Sequence, residues 1–181
     1  MRVALVNAGR INFDGRLSLT KLEDLGEVVS FAADPAAGEI IERAAGAIAL
    51  ITKEIPVSAE VISGLPGTVK LINEAGTGYN NIDLAAARER GITVCNVPDY
   101  SGEAVAHLVI TSIMNFSCGM VAQQKALARG DRRNFQGVVL HAPHFELRGK
   151  VLGLIGGNGA IGQQVATIAR ALGLEVLIWS R

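Results

Sequence analysis

Short apolar runs recur through the first hundred residues, separated by stretches of helical length that are apolar on one side. Residues 3–7, 28–31, 47–51, 69–73 and 92–95 read as strands, and 18–25, 37–45, 58–64 and 84–90 as the helices between them. Short apolar runs separated by helices predict a parallel sheet covered on both faces. Asp83 ahead of Leu84-Ala85-Ala86-Ala87 predicts a helix N-cap and Gly91 its C-terminal stop, while Pro56 and Pro66 mark the loops around a short helix.

Asn96-Val97-Pro98-Asp99-Tyr100 breaks this rhythm. Ser101 then reads as the N-cap of one long helix running to about Ala128, with Val105, Leu108, Val109, Ser112 and Phe116 on one face at helical spacing. That helix is expected to link two domains, 1–99 and 100–181. Residues 130–147 read as loop. Beyond them 151–155 is a strand, 160–172 a helix and 175–179 a strand, which is one β-α-β unit.

Composition narrows the function classes. A chain of 181 residues with 49% apolar residues holds one domain, or one and part of another, and can bury a core. Its net charge is zero, with no basic block and no basic patch interleaved with aromatics, so nucleic acid is not an expected partner. Cys95 and Cys118 form no Cys-x-x-Cys pair, which predicts reduced thiols in a cytoplasmic protein. The apolar run after Met1 is too short for a signal peptide. From 104 to 122 there is no Asp, Glu, Lys or Arg, long enough to raise a membrane span. His107, Thr111, Ser112, Asn115 and Ser117 interrupt it, and a helix buried between domains or subunits is the expectation.

The candidate chemistry lies at Gly157-Asn158-Gly159-Ala160-Ile161-Gly162, a Gly-x-Gly-x-x-Gly turn entered from a strand and leaving into a helix. In that context the glycines allow a tight turn, backbone approach to a pyrophosphate and close helix–strand packing, and the helix aims free N–H groups at phosphate. Gly156 and Gly157 both qualify as the tight-turn residue, with spacing favouring Gly157. The second strand should end in Asp or Glu if the ribose carries a free 2′-hydroxyl. It ends Ile178-Trp179-Ser180-Arg181 instead, and Glu175 is at the wrong end. Ser180 and Arg181 suit a 2′-phosphate, which points to NADP over NAD.

Glu74-Ala75-Gly76-Thr77-Gly78-Tyr79-Asn80-Asn81-Ile82-Asp83, followed by Arg90-Gly91-Ile92-Thr93-Val94-Cys95-Asn96-Val97-Pro98, Ser101-Gly102-Glu103-Ala104-Val105-Ala106 and Leu147-Arg148-Gly149-Lys150-Val151-Leu152-Gly153-Leu154-Ile155-Gly156, resembles the D-isomer-specific 2-hydroxyacid dehydrogenases in motif order and spacing. Within them it looks most like the glycerate dehydrogenase and hydroxypyruvate reductase group. The resemblance implies an α/β chain, a flavodoxin-like parallel sheet domain followed by the first β-α-β unit of a Rossmann domain. It implies hydride transfer between a nicotinamide and a small 2-hydroxy or 2-keto acid. Gly76, Thr77 and Gly78 would offer N–H groups to the substrate carboxylate, and Val105 would approach the nicotinamide. Asn80 stands where the family usually has Asp, and His107 where it usually has an acidic or amide residue. His107 reads as a buried or interface histidine, His141 and His144 as surface or packing residues with no metal site, and Thr52 and Lys53 as strand-end residues within reach of substrate.

The family's catalytic arginine, acid partner and histidine are expected beyond Arg181, so no catalytic residue is assigned within the chain. The 181 residues are accordingly expected to act as a truncated form, inactive alone, with an inactive cofactor-binding or dimerising fragment as the alternative reading. The full-length protein is expected to be a homodimer. The last thirty residues, with two strands and open edges, are expected to be frayed or dependent on a partner.

Overall fold

Five strands form one parallel sheet in a computed structural model of the chain, which describes residues 1–137, 141–142 and 144–180. They are β1 (Arg2–Leu5), β2 (Glu27–Ser30), β3 (Ala49–Thr52), β4 (Leu71–Glu74) and β5 (Thr93–Cys95), in the order β2-β1-β3-β4-β5. Register carries Ala4, Leu50 and Ile72 into one row and Val3, Ala49 and Leu71 into the next. Side chains alternate between faces along a strand. The first row is fully buried with Ile40, Val61, Ile62 and Ala87 from α3 (Ala37–Arg43), α4 (Ala59–Gly64) and α5 (Leu84–Glu89). The second row makes a smaller cluster, Val3, Leu5 and Ala49, with Leu22 of α2 (Thr20–Glu23) packed against it.

Local chemistry closes the helices. Ser58 Oγ accepts the Val61 N–H at 3.4 Å and Asp83 Oδ1 that of Ala86 at 3.0 Å. Gly91 takes the left-handed φ of 65° that ends α5. Arg90 donates to the carbonyls of Ile62, Ser63 and Leu65 at the C-terminal end of α4, where Ile62 O also accepts the Leu65 N–H. A short helix not expected from the sequence, α1 (Ala8–Ile11), follows β1. β4 starts two residues later than the apolar run, because the Val69 N–H still closes a turn onto Pro66 O.

Contacts divide the chain into Met1–Tyr100 and Ser101–Arg181. In the second unit β6 (Val151–Ile155) and β7 (Glu175–Trp179) pair in parallel, with α9 (Ala160–Ala171) between them. Val165, Ala166 and Ala169 of α9 are buried. The single helix expected to Ala128 is in fact two, α6 (Gly102–Cys118) and α7 (Met120–Ala128), bent by 63° at Gly119. Gly119 is left-handed at φ 60°. Side chains then fix the corner: Asn115 Oδ1 accepts the Val121 N–H at 2.9 Å and Gln123 Nε2 donates to Cys118 O at 2.6 Å. Ser101 occupies the N-cap position of α6 without a side-chain cap bond.

Of the apolar face read from Val105, Leu108, Val109, Ser112 and Phe116, only Val109 is half-buried and the rest is exposed, with Leu108 at 67% and Phe116 at 73%. Ala106 and Ser117 are the buried positions of α6 instead. A short helix, α8 (Arg133–Gln136), lies within the segment read as loop. Among the described residues no single helix is long and apolar enough to cross a membrane; α6 and α7 pass that test by length and composition only as a bent pair.

Candidate functional site

All five strands of the first sheet point the same way, so their following loops gather at one edge. The order β2-β1-β3-β4-β5 reverses direction between β1 and β3, and in open parallel sheets that point leaves a crevice for ligands at the strands' C-terminal ends. Asn7 follows β1 there and is fully buried. Its Oδ1 accepts the Lys53 N–H at 2.9 Å, and its Nδ2 donates to Lys53 O at 2.7 Å and to Asp34 Oδ1 at 3.2 Å. Asp34 also receives the Arg10 guanidinium, Nε at 2.8 Å. Those hydrogen bonds, Arg10 first, hold the Asp34 carboxyl below the usual aspartate range.

Glu74 ends β4 with its carboxylate completely buried. Burial of a charge is tolerated only when it is hydrogen-bonded. Oε2 accepts from Thr52 Oγ1 at 2.8 Å and Asn81 Nδ2 at 3.1 Å, and Oε1 accepts the Glu54 N–H at 2.8 Å. The last bond secures Glu54 in a left-handed backbone, φ 54°, uncommon for a residue with a side chain. From that bend the Glu54 carboxylate returns to Lys53, Oε1 lying 2.8 Å from Nζ. Hydrogen bonding to Glu54 raises the Lys53 pKa, and the same contact lowers that of Glu54. Lys53 Nζ is also 3.2 Å from Tyr100 OH.

The glycine loop follows Glu74. Val97 N–H donates to Gly76 O at 3.0 Å, Thr77 Oγ1 to Val97 O at 3.0 Å, and Asn96 Nδ2 to Thr77 O at 2.8 Å. The loop's carbonyls thus turn to the segment after β5. Among the described residues, the N–H groups of Gly76, Thr77 and Gly78 have no hydrogen-bond acceptor. A methyl group added at Gly76 would lie 3.0 Å from Lys53 Nζ, so the ammonium rests against this loop. Consecutive free N–H groups beside a cation form an anion site.

Asn80 is exposed in the turn after this loop, whereas its neighbour Asn81 is tied to Glu74 and, at 2.7 Å, to Ile55 O. Asn7, Glu54, Glu74, Asn81 and Tyr100 were not singled out from the sequence as site residues. Glu74 alone carried a signal, a lone acid closing an apolar strand.

The β6–α9 turn brings Gly157, Asn158, Gly159, Ala160, Ile161 and Gly162 together. The left-handed residue is Gly156, φ 76°, and not Gly157 as the spacing favours. Gly157 and Gly162 are required by crowding instead. A Cβ on Gly162 would sit 2.5 Å from Gly157 Cα, and one on Gly157 2.8 Å from Ile178 Cγ2. Gly159 is the N-cap of α9 and has no side chain to cap it, and among the described residues the N–H groups of Ala160, Ile161 and Gly162 have no acceptor. Backbone donors left open at a helix N-terminus suit a phosphate. Ser180 follows β7, its Oγ 2.5 Å from Asn158 Nδ2. Arg181 lies outside the described residues.

Val105 is partly exposed on α6, and His107 lines an open groove between α6 and α9 with Glu103, Gln163, Gln164 and Thr167. The backbone N–H of His141 donates to Asn134 Oδ1 at 2.7 Å, and His144 lines a pocket with Met114, Cys118 and Leu172. Among the described residues no group of three His, Cys, Asp or Glu side chains could hold a metal ion.

The family model for the catalytic domain of D-isomer specific 2-hydroxyacid dehydrogenases matches residues 13–174. Glycerate dehydrogenase of Methylorubrum extorquens is 35% identical over 77% of this chain and 44% of its own length. Hydroxypyruvate reductase of Blautia hydrogenotrophica is 30% identical over 99% of this chain and 56% of its own. The chain therefore spans about half the length of such curated relatives. Among solved structures, an acyclic imino acid reductase in complex with NADPH and D-Arg superposes with a TM-score of 0.85 at 25% identity, covering 98% of this chain and 55% of that one. An NAD+-bound 3-phosphoglycerate dehydrogenase of Entamoeba histolytica does so with a TM-score of 0.72 at 27% identity, covering 99% and 53%. From the sheet edge, the glycine turn and this family match over most of its length, the chain belongs to the D-isomer specific 2-hydroxyacid dehydrogenase family.

Proposed function

We propose that the protein serves an NAD(P)-dependent oxidoreduction of the D-2-hydroxyacid type, hydride passing between a nicotinamide and C2 of a small 2-hydroxy or 2-keto acid. The observation that carries this reading is the row of three acceptor-free N–H groups at Gly76–Gly78 on the switch-point edge of the sheet. In this reading they hold the acid's carboxylate and set the direction in which C2 faces.

The second unit fits a dinucleotide. Gly157 and Gly162 pack too closely for any side chain, and a Cβ on Gly159 would meet only Gly156 O, at 3.4 Å, so the turn stays open to a phosphate. The N–H groups of Ala160, Ile161 and Gly162 would hold the pyrophosphate, and Val105 would border the ring. The nicotinamide supplies or accepts the hydride when bound. β7 ends without a carboxylate for a ribose 2′-hydroxyl, and Ser180 with the following Arg181 supports NADP over NAD.

Proton transfer to the substrate oxygen requires an acid–base group. In this reading the 181 residues supply the acid and cofactor contacts, and turnover is decided by assay. The exposed Leu108 and Phe116 on α6 support a homodimer.

Calorimetric titration of the chain with NADPH and NADH, followed by an assay with NADPH and glyoxylate or hydroxypyruvate, tests the proposal. Binding of both cofactors, tighter for NADPH, with no turnover is expected. Absence of cofactor binding overturns the role of the glycine turn, and tighter binding of NADH overturns the phosphate preference. Turnover shows that the chain holds its own acid–base group.

A further inference from the structure

We infer that Lys53 is a specificity-determining contact for the acid substrate, its ammonium exchanging the Glu54 carboxylate for the substrate's own. The inference rests on the carboxylate role proposed for Gly76–Gly78 and adds to it a charged partner from a different strand end.

The two members of the Lys53–Glu54 pair are unequally placed. The Lys53 side chain is only 15% exposed, whereas that of Glu54 is 63% exposed. An ordinary surface ion pair has two wet members and is worth little. Here the cation is enclosed and its carboxylate lies on the solvent side. The enclosure is built: Asn7 bonds both the N–H and the C=O of Lys53, and Tyr100 brings its hydroxyl to 3.2 Å and its ring centroid to 5.6 Å from Nζ. Glu74 fixes the next residue in its left-handed bend, which turns the Glu54 carboxylate back over the ammonium.

The ammonium is therefore directed at the face of Gly76, where any side chain would press against it at 3.0 Å. The loop that Gly76 opens carries the acceptor-free N–H groups of Gly76, Thr77 and Gly78. A small carboxylate seated on the loop meets Lys53 with one oxygen and the N–H groups with the other. Glu54, already mostly in water, leaves with little desolvation change. Net charge at the ammonium is balanced before and after. Glu54 thus competes with the substrate, and Lys53 selects for an anionic group at this end of the molecule over an amide or ester.

The test is a titration of the 15N-labelled 181-residue chain with sodium D-glycerate, with sodium chloride at matched ionic strength as control, read at the Gly76, Thr77 and Gly78 amides. Lys53→Met should weaken glycerate binding by about tenfold, the scale of one hydrogen bond to a charged group. Lys53→Arg should restore most of it. Glu54→Gln, which removes the competing charge and keeps the shape, should tighten binding by about threefold, an effect that a purely structural role for the pair does not produce. Spectra of the variants in regions remote from the loop report that each is folded. Loop amides that shift with equal affinity in wild type and Lys53→Met overturn the role of Lys53 while leaving the glycine loop its own. Weakening by Lys53→Met without tightening by Glu54→Gln overturns the exchange. Loop amides that do not shift in the wild-type chain overturn the carboxylate role of the loop, and the Lys53 contact with it.

Discussion

The two parallel sheets of this chain are written in the same sequence idiom and reach different states of completion. In the first, five strands bury rows on both faces, Ala4, Leu50 and Ile72 on one and Val3, Leu5 and Ala49 on the other. In the second, β6 and β7 have apolar residues on the face that α9 does not cover, with Ile155 87% and Leu177 64% exposed. Apolar content alone does not make a core. A strand is buried when neighbours on both sides and layers on both faces exist, and two strands with one helix layer supply half of that.

The sharpest way to break this contrast is to truncate one residue in each sheet. Ile72→Ala is expected to cost about 2–5 kcal/mol, as for a large residue removed from a packed interior. Leu177→Ala is expected to cost less than about 0.5 kcal/mol, the range for an exposed position. Urea unfolding followed by far-UV circular dichroism and by fluorescence of Trp179, the chain's single tryptophan, separates the two units. Equal losses would show that the second sheet is buried after all.

Helix starts extend the comparison at smaller scale. Asp83 caps α5 with its side chain, and Asp83→Ala should cost about 1 kcal/mol. Gly159 leaves α9 uncapped, and Gly159→Ser should gain a few tenths of a kcal/mol, on the order expected for a Gly-to-Ser cap, while weakening NADPH binding. A cap that strengthens both stability and cofactor binding would remove the case for an N-terminus kept open for phosphate.

The smallest expected effect concerns acid. Arg10 and Asn7 hold Asp34 below its ordinary value of 3.8, and the Arg10–Asp34 pair bridges 24 residues of sequence. Unfolding breaks that pair. Its stabilisation is therefore complete above the ordinary aspartate value and is lost as pH falls through the lower folded-state value. Asp131 in the second unit is also lowered, by Arg133 only two residues away, so the two charges stay near each other whether the chain is folded or unfolded and less of the shift depends on folding. Asp34→Asn should thus flatten the acid limb of unfolding for the first unit, and Asp131→Asn should leave the second unit's limb nearly unchanged, both read by circular dichroism and Trp179 fluorescence during acid titration.

Much of the fold was legible. Each strand of the first sheet lies in a short, mostly apolar run, and such runs separated by helices admit few arrangements other than a parallel sheet. The corner at Gly119 was not legible, because helical spacing continues on both sides of it and one glycine is tolerated inside a helix. It became a corner through Asn115 and Gln123, whose side chains take up the backbone groups the break frees. The predicted apolar face of α6 was misread for a related reason. Spacing identifies a stripe and not the side on which a neighbour stands, and α9 packs against the side that carries Ala106.

The candidate site divides along the same line. Local chemistry that fits within one turn, the glycines at 76–78 and 157–162 and the cap at Asp83, was determined by the sequence itself, because a left-handed bend, a close approach or a cap needs a particular residue at a particular position. Asn7, Lys53, Glu54, Glu74, Asn81 and Tyr100 are spread over nearly the whole first unit. Only the order β2-β1-β3-β4-β5 brings their strand ends to one edge, and only there does a buried carboxylate find three donors and an ammonium find its glycine loop. Hydrogen bonds between distant segments depend on register and topology, which hydrophobic pattern restricts and tertiary packing decides.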